Sequence, residues 1–184
     1  MGDYRSVGFQ THMLRYMGQL ERRVEILEQK GYHFLWINNG GGPELWMWDV
    51  PSEVEDQKEI AGQAYGEVLV AGYGMGVVQS FLLANPQVKT VTTVEISPEV
   101  IEECQRVFGQ VHGQIVVGDF YDYDTNKRFD CVVGDIWIDQ AGRNLEEYKQ
   151  FKQKAASLLK PDGKVLGWGS DYFEFMLQQN GNPS

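Results

Sequence analysis

The sequence predicts an α/β fold, a doubly wound parallel sheet of about five strands preceded by an N-terminal helix and a β-hairpin. Three observations predict it. From residue 67 onward, short hydrophobic runs of strand length alternate with stretches of helix length. The first run, Val68-Leu-Val-Ala71, opens directly into Gly72-Tyr-Gly-Met-Gly76. The second, Val91-Thr-Thr-Val94, closes on a carboxylate, Glu95. Strands alternating with helices bury both faces of a parallel sheet. Right-handed crossovers then place every strand's C-terminal end on one edge, where ligands bind.

In chain order, Leu14, Met17, Leu20, Val24 and Leu27 recur at helical spacing among charged residues, predicting an amphipathic helix ended by Gly31. Tyr32-His-Phe-Leu-Trp-Ile37 and Glu44-Leu-Trp-Met-Trp48 flank the glycine-rich segment 38–43 and read as a β-hairpin. Ser52 with Glu55 forms a capping box for a helix running to about Ala64. Strands follow at 67–71, 89–95, 113–117, 129–135 and 163–168, with helices at 76–84, 98–108 and 144–158. Ser97-Pro98 is a helix start, Asn144 with Glu147 is a second capping box, and Lys160-Pro-Asp-Gly163 is a turn. A short helix at 171–179 ends the chain. The division is an N-terminal extension over 1–50 and a Rossmann-like domain over 51–184.

A chain of 184 residues can bury a core without disulfides or metal. Its net charge of −10 argues against duplex nucleic acid as a partner and suits a neutral or cationic small substrate. Cys104 and Cys131 form no Cys-x-x-Cys motif, which fits free thiols in a reducing compartment. His12, His33 and His112 show no metal-ligand spacing, so no metal is expected. No run reaches the length of a membrane span and no signal peptide is evident, so the expected location is the cytoplasm, with no membrane partner.

Four acidic residues fall at or just after predicted strand ends: Glu95, Asp119, Asp135 and Asp171. The topology gathers them on the edge that carries the glycine turn. Glycine lets a ligand approach the backbone. A carboxylate at the tip of the second strand can accept hydrogen bonds from both hydroxyls of a ribose. Asp119 can accept from an exocyclic amine, and Asp135 can stabilise a positive centre or orient an amine nucleophile. Trp36, Trp46 and Trp48 can form a cage for a cation, although core packing or a subunit interface is the expected role. Trp137, two residues after Asp135, either walls an acceptor site or covers the sheet end.

Residues 44–168 resemble the class I S-adenosylmethionine-dependent methyltransferases, particularly their spermidine-synthase-like branch. The resemblance rests on the glycine strand and turn, on Val94-Glu-Ile-Ser-Pro-Glu-Val-Ile101, on Gly118-Asp119, on Phe129-Asp-Cys-Val-Val-Gly-Asp135 and on the segment 158–164. It implies S-adenosylmethionine as cofactor. The backbone at Gly72, Tyr73, Gly74 and Gly76 would approach its methionine part, and Glu95 would hold the ribose. Ile96 would pack on the adenine, and Asp119 would accept from the adenine amino group with Phe120 beside it. Asp135 would sit near the sulfonium and the acceptor, as the one catalytic candidate. Three departures stand out. Val70 replaces an acidic residue that many of these enzymes carry, as it also does in much of the spermidine-synthase-like branch. The segment 135–140 breaks the signature of aminopropyl transfer, which has a second aspartate followed by proline. Few residues follow the fifth strand, so the acceptor pocket must come from the N-terminal hairpin or from another subunit.

The expected function is S-adenosylmethionine binding with methyl transfer to a small neutral or cationic acceptor. The alternatives are aminopropyl transfer and a non-catalytic cofactor-binding or assembly role. The apolar residues between 9 and 48, with an open sheet edge, predict a homodimer joined through the N-terminal helix and hairpin; a lid folded over the ligand edge within one chain is the competing arrangement.

Overall fold

Two sheets make up the fold, and the C-terminal edge of the larger one meets the smaller one across a cleft. The computed structural model describes residues 23–137 and 144–180. Its elements, in order, are β1 (Val24–Gln29), β2 (Tyr32–Asn38), β3 (Pro43–Trp48), α1 (Pro51–Gly62), β4 (Gly66–Ala71), α2 (Val77–Ala84), β5 (Val88–Glu95), α3 (Pro98–Phe108), β6 (Gln114–Val117), β7 (Phe129–Gly134), α4 (Leu145–Leu158), β8 (Leu159–Gly167) and α5 (Ser170–Asn180).

The larger sheet has five strands in the order β6-β5-β4-β7-β8, all paired in parallel. Its central strand is buried on both faces, which is why Val68 to Ala71 form an unbroken apolar run. Leu69 and Ala71 face a core with Phe129, Val132, Phe151 of α4 and Phe173 of α5. Val68 and Val70 face the other, with Ile60 of α1 and Val78 and Leu82 of α2. Among the described residues no helix is long and apolar enough to cross a membrane, and no cluster of His, Cys, Asp or Glu could hold a metal ion. Cys104 and Cys131 are buried free thiols.

The first expected helix is corrected in its described part. Val24–Gln29 is a strand, paired antiparallel with β2 from Val24 opposite Ile37 to Gln29 opposite Tyr32. Lys30 and Gly31, at φ of 55° and 80°, make a two-residue hairpin turn of the kind that follows the natural strand twist. Val24 and Ile26 also alternate with period two, and their burial on the main domain decides the matter. Residues 1–22, with the rest of the predicted helix, lie outside the described residues, as do 138–140 of the altered aminopropyl-transfer segment.

The expected hairpin is present as β2 and β3, with an irregularity between Leu35 and Trp36. With β1 it makes a three-stranded antiparallel sheet. That sheet packs Val24, Ile26, Leu35 and Ile37 against Tyr73, Met75, Val100 and Cys104 of the main domain. Glu103 of α3 accepts the Ile26 N–H at 2.9 Å and is itself clamped by two Arg106 bonds of 2.7 Å.

The capping details differ from expectation. Helix α1 is capped at Val50 with Pro51 in its first turn, and Ser52 lies inside it. Ser97 does precede Pro98 at the start of α3, but its hydroxyl donates to Glu99 at 2.7 Å. Asn144 stands at the start of α4 without a capping bond from its side chain. The expected turn at 160–163 is absorbed into β8, where the register with β7 shifts between Phe129 and Cys131. Lys160 is held there by Asp130 at 2.9 Å and Glu67 at 3.2 Å.

Candidate active site

Between the C-terminal edge of the five-stranded sheet and the face of β2 and β3 lies a cleft of about 910 Å³. Gly72, Gly74, Glu95, Ile96, Asp119, Phe120 and Asp135 all line it. Tyr73 and Gly76 are not among its lining residues and act on its frame instead.

The turn after β4 holds Gly72, Gly74 and Gly76 at φ of 86°, 55° and 76°. A Cβ on Gly72 would stand 2.3 Å from the Asp135 carbonyl oxygen, so the turn and the end of β7 are in backbone contact. A Cβ on Gly74 would stand 2.5 Å from Met47 Sδ. That sulfur, on β3, also accepts the Met75 N–H at 3.3 Å. Tyr73 is 1% exposed and its hydroxyl accepts the His112 N–H at 2.9 Å. Its ring fills the space a side chain on Gly76 would need.

Glu95 ends β5 and is fixed at both oxygens. Oε2 accepts the Tyr73 N–H at 2.7 Å and Oε1 the Ser97 N–H at 2.8 Å. Burial pushes its carboxyl above the ordinary range, while the backbone N–H groups of Ser97, Tyr73 and Ile96 pull the other way. Three N–H groups act on its four acceptor positions, so the group can still accept from a hydroxyl in the cleft. Ile96, next along, is 67% exposed, an apolar face presented at the rim. Asp119, after β6, accepts the Tyr121 N–H at 2.8 Å. Phe120 is mostly inward, packed against Phe151 with ring centres 5.6 Å apart.

Asp135 follows β7, and its N–H donates to the Ala71 carbonyl at 3.0 Å. Its Oδ1 accepts from Gln57 Nε2 at 3.3 Å, and the same nitrogen reaches Glu53 Oε1 at 3.2 Å. One amide therefore bridges two carboxylates. Burial, with Glu95 nearby, pushes Asp135 up to about 6, against the pull of the Gln57 bond. Burial, then the Asp135 charge, push Glu53 up to about 7.

The sequence reading did not single out Glu53 or Gln57 as site residues. Their signal was the spacing of four along α1, which stacks them on one helix face. Asp171 is corrected: it is exposed in the first turn of α5 and does not line the cleft. Trp36, Trp46 and Trp48 all line the cleft, Trp36 while almost wholly buried. Trp137 both lines the cleft and covers the sheet end, packing on Tyr148, Phe151 and Phe173 and donating its indole N–H to the Trp168 carbonyl at 2.9 Å.

Residues 68–163, the span from the glycine strand through the start of β8, match the methyltransferase domain family. The chain belongs to that family. The cofactor of this methyltransferase domain is S-adenosylmethionine, and the cleft offers groups that fit it: backbone at Gly72, the fixed carboxylate of Glu95, and the exposed apolar face of Ile96 at its rim. The domain is 41% identical over 102 residues to a ribosomal RNA small subunit methyltransferase A of Cytophaga hutchinsonii, covering 55% of this chain and 35% of that protein. Its fold overlays a spermidine synthase of Thermotoga maritima at 17% identity and a TM-score of 0.52, over 85% of this chain and 62% of that one. It also overlays a spermidine synthase bound to the transition-state analogue AdoDATO, at 17% identity and a TM-score of 0.55, with the same coverage, 85% and 62%. The chain thus spans about a third of the length of its curated relative and less than two thirds of these solved structures.

Proposed function

We propose that this chain transfers the methyl group of S-adenosylmethionine to a small amine. One observation carries the acceptor class: the carboxylates of Glu53 and Asp135 both line the cleft, share the single amide of Gln57, and form no ion pair with a lysine or arginine among the described residues. Two half-buried acids side by side attract a cation. Among the described residues, seven acidic side chains line the cleft against one basic residue, Arg23. That balance opposes an RNA acceptor, the substrate named for the Cytophaga relative.

In this reading the Gly72 and Gly74 backbone borders the amino-acid tail of the cofactor, with Tyr73 and Gly76 shaping the turn. Glu95 holds the ribose, Ile96 covers the adenine face, and Asp119 accepts from the adenine amino group with Phe120 behind it. Asp135 faces the sulfonium and the acceptor nitrogen. The cofactor supplies an electrophilic methyl carbon, and the protein's share is alignment and exclusion of water. The N-terminal sheet supplies the acceptor wall through Trp46 and Trp48.

A second reading, aminopropyl transfer, draws on the fold overlap with spermidine synthases across 85% of the chain. Incubation with S-adenosylmethionine or its decarboxylated form and a panel of amines, followed by mass spectrometry, separates the readings. S-adenosylhomocysteine marks methyl transfer and methylthioadenosine marks aminopropyl transfer. Binding of the cofactor without either product would leave a non-catalytic role.

A further inference from the structure

We propose that Glu53 is the proton acceptor of the reaction and that Gln57 is the residue that positions it against Asp135. The inference rests on the amine reading above and adds to it a division of labour between the two acids.

Gln57 is 0% exposed, yet it lies one helical turn from the cleft acid Glu53 and reaches across to the end of β7. Its two N–H groups serve the two carboxylates. Its Oε1 is buried with no partner. Leaving a buried amide oxygen unsatisfied is unfavourable, and an apolar residue of similar volume would avoid it. What the amide gains is to hold two like-charged groups side by side. The buried indole N–H of Trp168, which lacks hydrogen-bond geometry to any acceptor among the described residues, also faces Glu53 closely enough to favour its charged form. The charged groups facing Glu53 are Asp56 from its own helix and Asp135 from β7, with Glu95 standing beyond Asp135.

An alkylammonium has no free lone pair and cannot attack a methyl carbon. In the proposed step its N–H bond breaks and an O–H bond forms on Glu53, leaving a neutral amine. The nitrogen lone pair then forms the N–C bond while the S–C bond breaks and its electrons stay on sulfur. The products are a methylated ammonium, neutral S-adenosylhomocysteine and protonated Glu53, which returns its proton to solvent because it is only half-buried. A group titrating at about 7 gives up and takes protons readily at neutral pH. Asp135, at the end of β7 and bonded to the same Gln57 amide, holds the substrate cation.

The test uses the full chain with S-adenosylmethionine and the amine panel, measured from pH 5.5 to 9. Wild type is expected to show kcat/KM rising with pH to an inflection near 7. Glu53→Gln is expected to lose that inflection and on the order of 10²- to 10⁴-fold of kcat/KM, while calorimetry shows S-adenosylmethionine binding retained. Asp135→Asn should move the inflection down. Gln57→Leu should move it up, because the bond that favours the charged carboxylates is gone; a purely structural role would change the rate and leave the inflection in place. Glu53→Gln turning over with the wild-type pH profile overturns the proposal and leaves the amine reading standing. Wild type that binds S-adenosylmethionine but methylates none of the amines overturns both.

Discussion

Glu95 is arranged before any ligand arrives. Its two oxygens are already held by backbone N–H groups of the glycine turn and of the residue leading into α3. A charge-assisted hydrogen bond contributes about 1.5–3 kcal/mol, so Glu95→Ala should weaken S-adenosylmethionine roughly ten- to hundredfold by calorimetry. The Glu53 and Asp135 carboxyls carry the opposite kind of signature, an intrinsic penalty. Both titrate higher in the folded chain than free side chains do, at about 7 and about 6. The folded state then binds more protons than the unfolded state over that interval. Their contribution to stability is complete below the free-chain values and is lost as pH rises from about 4 to 7. Thermal melts should show Glu53→Gln raising Tm at pH 8 and flattening the decline above pH 5; a Tm unchanged at pH 8 would mean that burial of this charge is inconsequential. At this scale, Glu95, Asp119 and Asp135 were readable because topology alone places them at strand ends, whereas Asp171, expected with them, lies on α5 away from the cleft. Glu53 and Gln57 were not readable, because what gives them meaning is a bridge to Asp135 across 78 positions of sequence.

Among the elements, β3 sets the limits of the glycine turn. Gly74 is confined by a flexible methionine end, whereas Gly72 is confined by a carbonyl oxygen. Gly74→Ala should therefore be partly rescued by Met47→Ala, keeping a residual loss of about 1–2 kcal/mol from the left-handed backbone. Gly72→Ala should not be rescued. Urea denaturation of the single and double variants measures both, and equal behaviour of the two glycines would show that Met47 does not rest on the turn. The central strands and helices were legible because one period ran unopposed through each. In β1 two periods competed. Val24 and Leu27 continue a helical series, while Val24 and Ile26 form a strand series. Burial on α3 and the main domain, which local sequence does not contain, selects the strand.

For the whole molecule, the hairpin's apolar residues are only in part buried within one chain, since Leu45, Trp46, Met47 and Trp48 of β3 stay partly exposed. Phe34, Leu35 and Trp36 are buried without a second copy. Light scattering at micromolar concentration is expected to give the homodimer's mass, twice 21.0 kDa. A mass near 21.0 kDa would instead favour the arrangement within one chain. The lining of the cleft runs from Arg23 to Trp168 and draws on both sheets. Contacts so far apart in sequence form late, because each closes a long loop before it is rewarded. A chain still emerging from the ribosome, or one only part-way through refolding, consequently has nowhere for the nucleoside to sit. S-adenosylmethionine can select only finished molecules, and at a hundred times its dissociation constant it would hold them there by about 2.7 kcal/mol.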